Sequence, residues 1–97
     1  MRGILYSQIK HNESVFVVFS RQLEDFVKLK IALSQLTSIN LDIILDLSQT
    51  IDLDNIERFV LDNSTDDGAR LHNDKDIIWS LSPKKWSLVV SLIDGII

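Results

Sequence analysis

The run "VFVVF", residues 15 to 19, constrains the fold more than any other stretch of the chain. Unbroken β-branched and aromatic residues with no polar alternation predict a strand covered on both faces. Before it, residues 3 to 10 alternate loosely, with Ile4, Tyr6 and Gln8 on one side and Leu5, Ser7 and Ile9 on the other. The turn formers "HNES", residues 11 to 14, separate the two stretches. Together they predict a hairpin whose second strand lies deep in a sheet.

Ser20 offers a hydroxyl that can cap a helix start. From residue 21 to about residue 36, Leu23, Phe26, Val27, Leu29, Leu33 and Leu36 recur at three- and four-residue steps, the pattern of an amphipathic helix. "TSIN" closes it, and "LDIILDL", residues 41 to 47, reads as the third strand. Asp54-Asn55-Ile56-Glu57 fits a capping box, an acceptor followed by Glu after a three-residue step. It predicts a second helix with Ile56, Phe59 and Val60 as its apolar stripe, ending among the turn formers "DNSTDDG", residues 62 to 68. "DIIWSL", residues 76 to 81, is the fourth strand. Ser82-Pro83 opens a terminal helix, since proline at the first helical position gives up no needed donor. Trp86, Val89, Val90 and Ile93 form its buried side.

The element order is therefore ββαβαβα. Strand–helix–strand alternation predicts parallel pairing through right-handed crossovers, and the opening hairpin adds one antiparallel strand. The expected fold is α/β: a small mixed β-sheet with helices packed on it. A chain of 97 residues fits one domain, residues 1 to 97.

Composition narrows the function classes. With 45% hydrophobic and 25% charged residues the chain is ordinary globular protein. It has no cysteine, which excludes a disulfide framework, a thiolate metal site and a cysteine nucleophile. Ten basic against fourteen acidic side chains leave a net charge of −4, without the electrostatic footprint of a nucleic-acid binder. Lys28, Lys30, Lys84 and Lys85 form the basic concentrations, and each pair fits an exposed helix face. No stretch approaches the ~18 apolar residues of a membrane span. The opening "MRGILYSQIKHNES" lacks the apolar core of a signal peptide. The expectation is a cytoplasmic protein with no membrane partner.

Catalytic chemistry finds little to build on. His11 and His72 have no metal-ligand spacing around them. Asp62, Asp66 and Asp67 lack the alternating ligands of a calcium loop. No Gly-x-Gly-x-x-Gly, phosphate loop or nucleophile elbow is present, so no enzyme activity, metal or cofactor is expected. Trp79 and Trp86 read as core residues, with an interface role for Trp86 as the alternative.

The junction "LDIILDLSQTIDLDNIERF", residues 41 to 59, carries the functional question. Asp46 stands at a strand end, where a receiver domain keeps its phosphoacceptor. That chemistry also needs an acidic pair to hold a divalent cation. His11-Asn12-Glu13 and Ser20-Arg21, at the ends of the first two strands, do not supply it. In its apolar strand, helix and strand ending "LDLS", the chain resembles the STAS family, the fold of bacterial anti-sigma-factor antagonists. That family carries an Asp-Ser-Ser-Gly motif with a phosphoacceptor serine at the N-terminus of its second helix. Asp54 matches the aspartate, while Asn55, Ile56 and Glu57 replace the rest.

The resemblance implies a regulatory, non-enzymatic protein-binding module that lacks the motif's serine, with an anti-sigma-factor-like kinase or regulator as the kind of partner. The expected partner surface is the loop after the third strand and the second helix, with Asp52, Asp54, Asn55 and Arg58 in contact. Arg58 and Asp62, four apart, would share a helical face. Ser48 and Thr50 are the hydroxyls left for phosphorylation. A phosphate there would gain from the helix dipole and be opposed by Asp46, Asp52 and Asp54. The alternative is a small ligand or nucleotide held by its anion at the N-terminus of the second helix. A monomer or a weak homodimer is expected, the latter through the apolar tail "DGII", residues 94 to 97.

Overall fold

A computed structural model describes residues 1–8, 13–73 and 75–97. The expected turn at His11 and Asn12 lies outside them. In chain order the elements are β1 (Arg2–Gln8), β2 (Glu13–Phe19), α1 (Leu23–Leu33), a 3-10 turn (Ser34–Thr37), β3 (Ile44–Asp46), β4 (Asp52–Asp54), β5 (Arg58–Asn63), β6 (Gly68–His72), β7 (Asp76–Leu81) and α2 (Pro83–Ile96). The class is mixed α/β, as expected. The order ββαβαβα is not, because the segment read as a second helix is a turn between two strands.

The reason lies in long-range pairing. Asn55 adopts a left-handed conformation with φ 69°, which bends the chain away from a helical path. Phe59, Val60 and Leu61 are then buried in succession, a pattern no single helix face produces. They lie in β5, between β3 on one side and β7 on the other. The capping-box residues turn to other partners: Asp54 to the Arg2 guanidinium, Glu57 to Lys75 at 3.6 Å.

The strands form two sheets, β2-β1-β4 and β3-β5-β7-β6. β1 and β2 make the expected antiparallel hairpin, with Ile4 opposite Val17. β2, however, is an edge strand, not a central one. β3 belongs to the other sheet and runs antiparallel to β5, so the expected set of three parallel strands is replaced by two parallel pairs, β1–β4 and β5–β7. Parallel neighbours normally imply a helical crossover. Here β6 supplies the return, running back antiparallel along the far side of β7 before the chain turns into β7 itself.

The inner faces enclose a core of Leu5, Phe59, Leu61 and Ile77 from the sheets, Leu29 and Leu33 from α1, and Trp86 and Ile93 from α2. Burying each contributes roughly 1.5–3 kcal/mol. Phe16 reaches across from β2 to place its ring 4.6 Å from that of Phe59. Trp86 is wholly buried, edge-on to Trp79 at 4.8 Å, and donates its indole N–H to the Asp62 carbonyl at 2.8 Å, a core role for both indoles.

Both outer helices form where their apolar spacing places them. α2 starts as read: Ser82 accepts from the Lys85 amide at 3.4 Å and Pro83 opens the first turn. α1 starts later than its expected cap. Gln22 is the capping residue, and Ser20 instead accepts from the Gln22 amide at 3.1 Å and donates to the Asp25 carboxylate.

Candidate functional site

The loop from β3 to β4 is held by its own polar groups. Asp46 Oδ1 accepts from the Ser48 amide at 2.9 Å and from its hydroxyl at 2.5 Å. Ser48 Oγ in turn accepts from the Phe59 amide at 3.0 Å, fastening the loop to β5. The Leu47 carbonyl takes the amides of Thr50 and Ile51, both at 3.0 Å, and this turn drives Ile51 into the core. The Asp52 amide then donates to the Met1 carbonyl at 3.0 Å, starting the pairing of β4 with β1. Ser48 is thus the fastening point of the junction.

Beside this loop lies an open hollow of about 560 Å³. Ser48, Gln49, Thr50, Asp52 and Glu57 line it together with Met1, Ile51, Leu53 and Ile56, and its exposed surface is predominantly polar, Ile51 and Ile56 being buried in the core. Asp52 and Glu57 bring carboxylates to it, Glu57 also lying 3.6 Å from the exposed Lys75 ammonium, while the N-terminal ammonium of Met1 is paired with Asp25 at 3.5 Å. Such a rim favours a cation and disfavours an anion.

The sequence-chosen residues are divided among separate tasks. Asp52, Ser48 and Thr50 border the hollow. Asp54 is tied to Arg2, and Asn55 donates its side-chain amide to the Leu5 carbonyl at 3.1 Å, so both pin the β4–β5 turn against β1. Arg58 lies 3.8 Å from Asp46, with both side chains largely exposed. It does not pair with Asp62: on a strand, four residues span roughly 13 Å, too far for contact. The anion site expected at the start of a second helix has no helix to form it. Glu57, Gln49 and Met1 are lining residues that sequence reasoning missed. Met1 reaches the site only through the β1–β4 pairing, which no local pattern announces.

The Ser48 hydroxyl, then its amide, and more weakly the Arg58 charge hold the Asp46 carboxyl below the usual carboxylate range. A phosphate on Ser48 would remove the hydrogen that its hydroxyl donates to Asp46 and set negative charge beside that carboxylate. Thr50 is exposed, but it shares the rim with Asp52 and Glu57, whose charges oppose a phosphate there.

Among the described residues no group of three or more His, Asp and Glu side chains converges as a metal site. His72 is exposed on β6, and His11 lies outside the described residues. Lys30 and Lys85, from the basic pairs, are engaged with Asp94 and Asp67. No helix among the described residues is long and apolar enough to cross a membrane. Comparison with family models, curated proteins and solved structures gives no match.

Proposed function

We propose that the chain is a non-enzymatic protein-interaction module that receives a basic side chain of a protein partner in the hollow beside the β3–β4 loop. The observation that supports this is the pair of exposed acidic residues, Asp52 and Glu57, on a predominantly polar hollow. A Lys or Arg head group is the side-chain chemistry that such carboxylates attract. The net charge of −4 adds long-range attraction for a basic partner. The loop is already fixed by Asp46, Ser48 and Phe59, so little ordering opposes binding.

A regulatory role of the anti-sigma-factor-antagonist kind, in the cytoplasm, rests on the "LDLS" resemblance. Strand β5 replaces the helix on which that resemblance placed its motif, so the partner surface is the loop and the hollow alone. Anion binding is the weaker reading, because the rim is acidic.

The test is an affinity pull-down with the intact protein beside the double substitution Asp52→Lys, Glu57→Lys. Both positions are exposed, so the fold is expected to persist, and circular dichroism checks it. A partner with a basic contact surface should be recovered by the first bait and lost from the second. Recovery of the same proteins by both baits overturns the reading.

A further inference from the structure

We infer that the space between the two sheets binds a fatty-acid-like ligand, with its hydrocarbon tail in the core and its acid group at Arg70 on the mouth. This site is separate from the acidic hollow and goes beyond the function proposed for it.

Three hollows follow one another from the surface inward. The outermost, about 160 Å³, lies among Leu5, Phe16, Ala69, Leu71 and Ile77. The next, about 390 Å³, shares Phe16, Ala69 and Ile77 with it and adds Val18, Phe59 and Trp79. Those last three also wall the innermost, about 200 Å³, which reaches Leu33 of α1 and Ile93 of α2. Leu33, Leu47, Ile51 and Leu61 around it are at most 3% exposed, so it lies inside the core.

The walls choose the chemistry. Every side chain lining the inner two hollows is apolar or aromatic. A polypeptide segment does not fit there, because its backbone N–H and C=O groups would find no partners. Water is disfavoured for the same reason, since it needs several polar neighbours to settle in a protein interior. A hydrocarbon meets such a lining with dispersion contacts on all sides and brings no polar group that would go unmet.

Shape and mouth narrow the ligand further. Small hollows joined in line at shared walls suit a flexible chain of methylenes better than a rigid ring system. Arg70 borders the outermost hollow and is the one charged residue, among the described residues, that lines any of the three. It is exposed on β6, an edge strand, and a side chain of that length reaches round the edge with its stem on apolar surface. A guanidinium at that mouth holds a carboxylate by paired, charge-assisted hydrogen bonds. An apolar cavity with a single polar group to fix orientation is the usual build of a small-ligand site.

The test titrates dodecanoate into the full chain, below the concentration at which it forms micelles, with dodecanol as the uncharged counterpart. Saturable binding should shift the methyl signals of Leu33 and Leu61 in the core and of Ala69 and Leu71 at the mouth. Ala69→Trp obstructs the mouth at an exposed position and should weaken both ligands at least about tenfold. Arg70→Glu should weaken dodecanoate by a similar factor and leave dodecanol unchanged, and circular dichroism checks that both variants fold. No saturable binding, shift changes confined to the exposed Leu88 and Leu92 of α2, dodecanoate binding undiminished in either variant, or equal loss of both ligands on Arg70→Glu would each overturn the proposal.

Discussion

The Asn63 side-chain oxygen accepts the Ile43 amide at 2.7 Å, and the two residues are joined again by the Asn63 amide donating to the Ile43 carbonyl at 3.2 Å. Asn63 is wholly buried, and the two hydrogens of its side-chain Nδ2 are shared among the carbonyls of Leu36, Ser38 and Asn40 at 3.2, 3.4 and 2.9 Å. One side chain thus satisfies the backbone between the 3-10 turn and β3, a path with no ladder of its own. A buried amide so fully paired holds one conformation because every alternative leaves a polar group unmet.

Asn63→Leu keeps approximate volume and removes the side-chain contacts, leaving the backbone bond to the Ile43 carbonyl in place. It should cost about 3 kcal/mol, since buried N–H and C=O groups lose their partners. In a domain of this size that lowers the thermal midpoint by roughly 10–20 °C, measurable by calorimetry. A midpoint within a few degrees of the parent would show that water replaces the clamp.

Ser48→Ala removes the hydroxyl that links Asp46 to the Phe59 amide. The expected loss is about 1–2 kcal/mol in urea unfolding. The Asp46 carboxyl should also titrate higher, closer to 3.8, because its largest stabilising contact is gone. Carbon-detected NMR titration of Asp46 reads this directly, and an unmoved value would place the bridge elsewhere.

Gly3 sits where β1 passes under the Phe16 ring. A Cβ there would meet the ring at 2.5 Å and an Ile51 methyl at 3.2 Å, so Gly3→Ala has to displace the Phe16 ring, which stacks on Phe59. Overpacking of this kind costs about 1–3 kcal/mol. Ring-proton shifts of Phe16 and Phe59 should move together, with helix content by circular dichroism unchanged.

Acid should destabilise the fold through three aspartates. The Ser20 hydroxyl at Asp25, the Ser48 hydroxyl at Asp46 and the Lys85 ammonium at Asp67 each lower the folded-state pKa below 3.8. In the window below 3.8 the unfolded chain binds more protons, so stability rises with pH there. The contribution is complete above the unfolded value and disappears as pH falls through the folded ones. Urea midpoints compared at about pH 6 and about pH 3 should fall with pH, and substituting Asn at all three positions should flatten the dependence. The exposed Asp67–Lys85 pair should weaken further in high salt.

Much of the architecture was legible locally. The three- and four-residue spacing from Leu23 to Leu33, the Ser82-Pro83 start and the run "DIIWSL" each determine their element without distant help, because backbone propensity and side-chain periodicity act within a few residues. The polar link after Asp46 was legible as the candidate site for the same reason, and Asp52, Ser48 and Thr50 do border the hollow there. Residues 54 to 63 were not legible. Ile56, Phe59 and Val60 satisfy a helical spacing, yet Phe59-Val60-Leu61 gains more as β5, where β3 and β7 cover both of its edges. Likewise "VFVVF" reads as a central strand, but only the assembled sheets decide that it ends one of them and leaves an edge open. The partners that settle these choices are tens of residues away in the chain, as Arg2 is from Asp54. Pairing and burial at that range outweigh local preferences worth at most about 1 kcal/mol per residue.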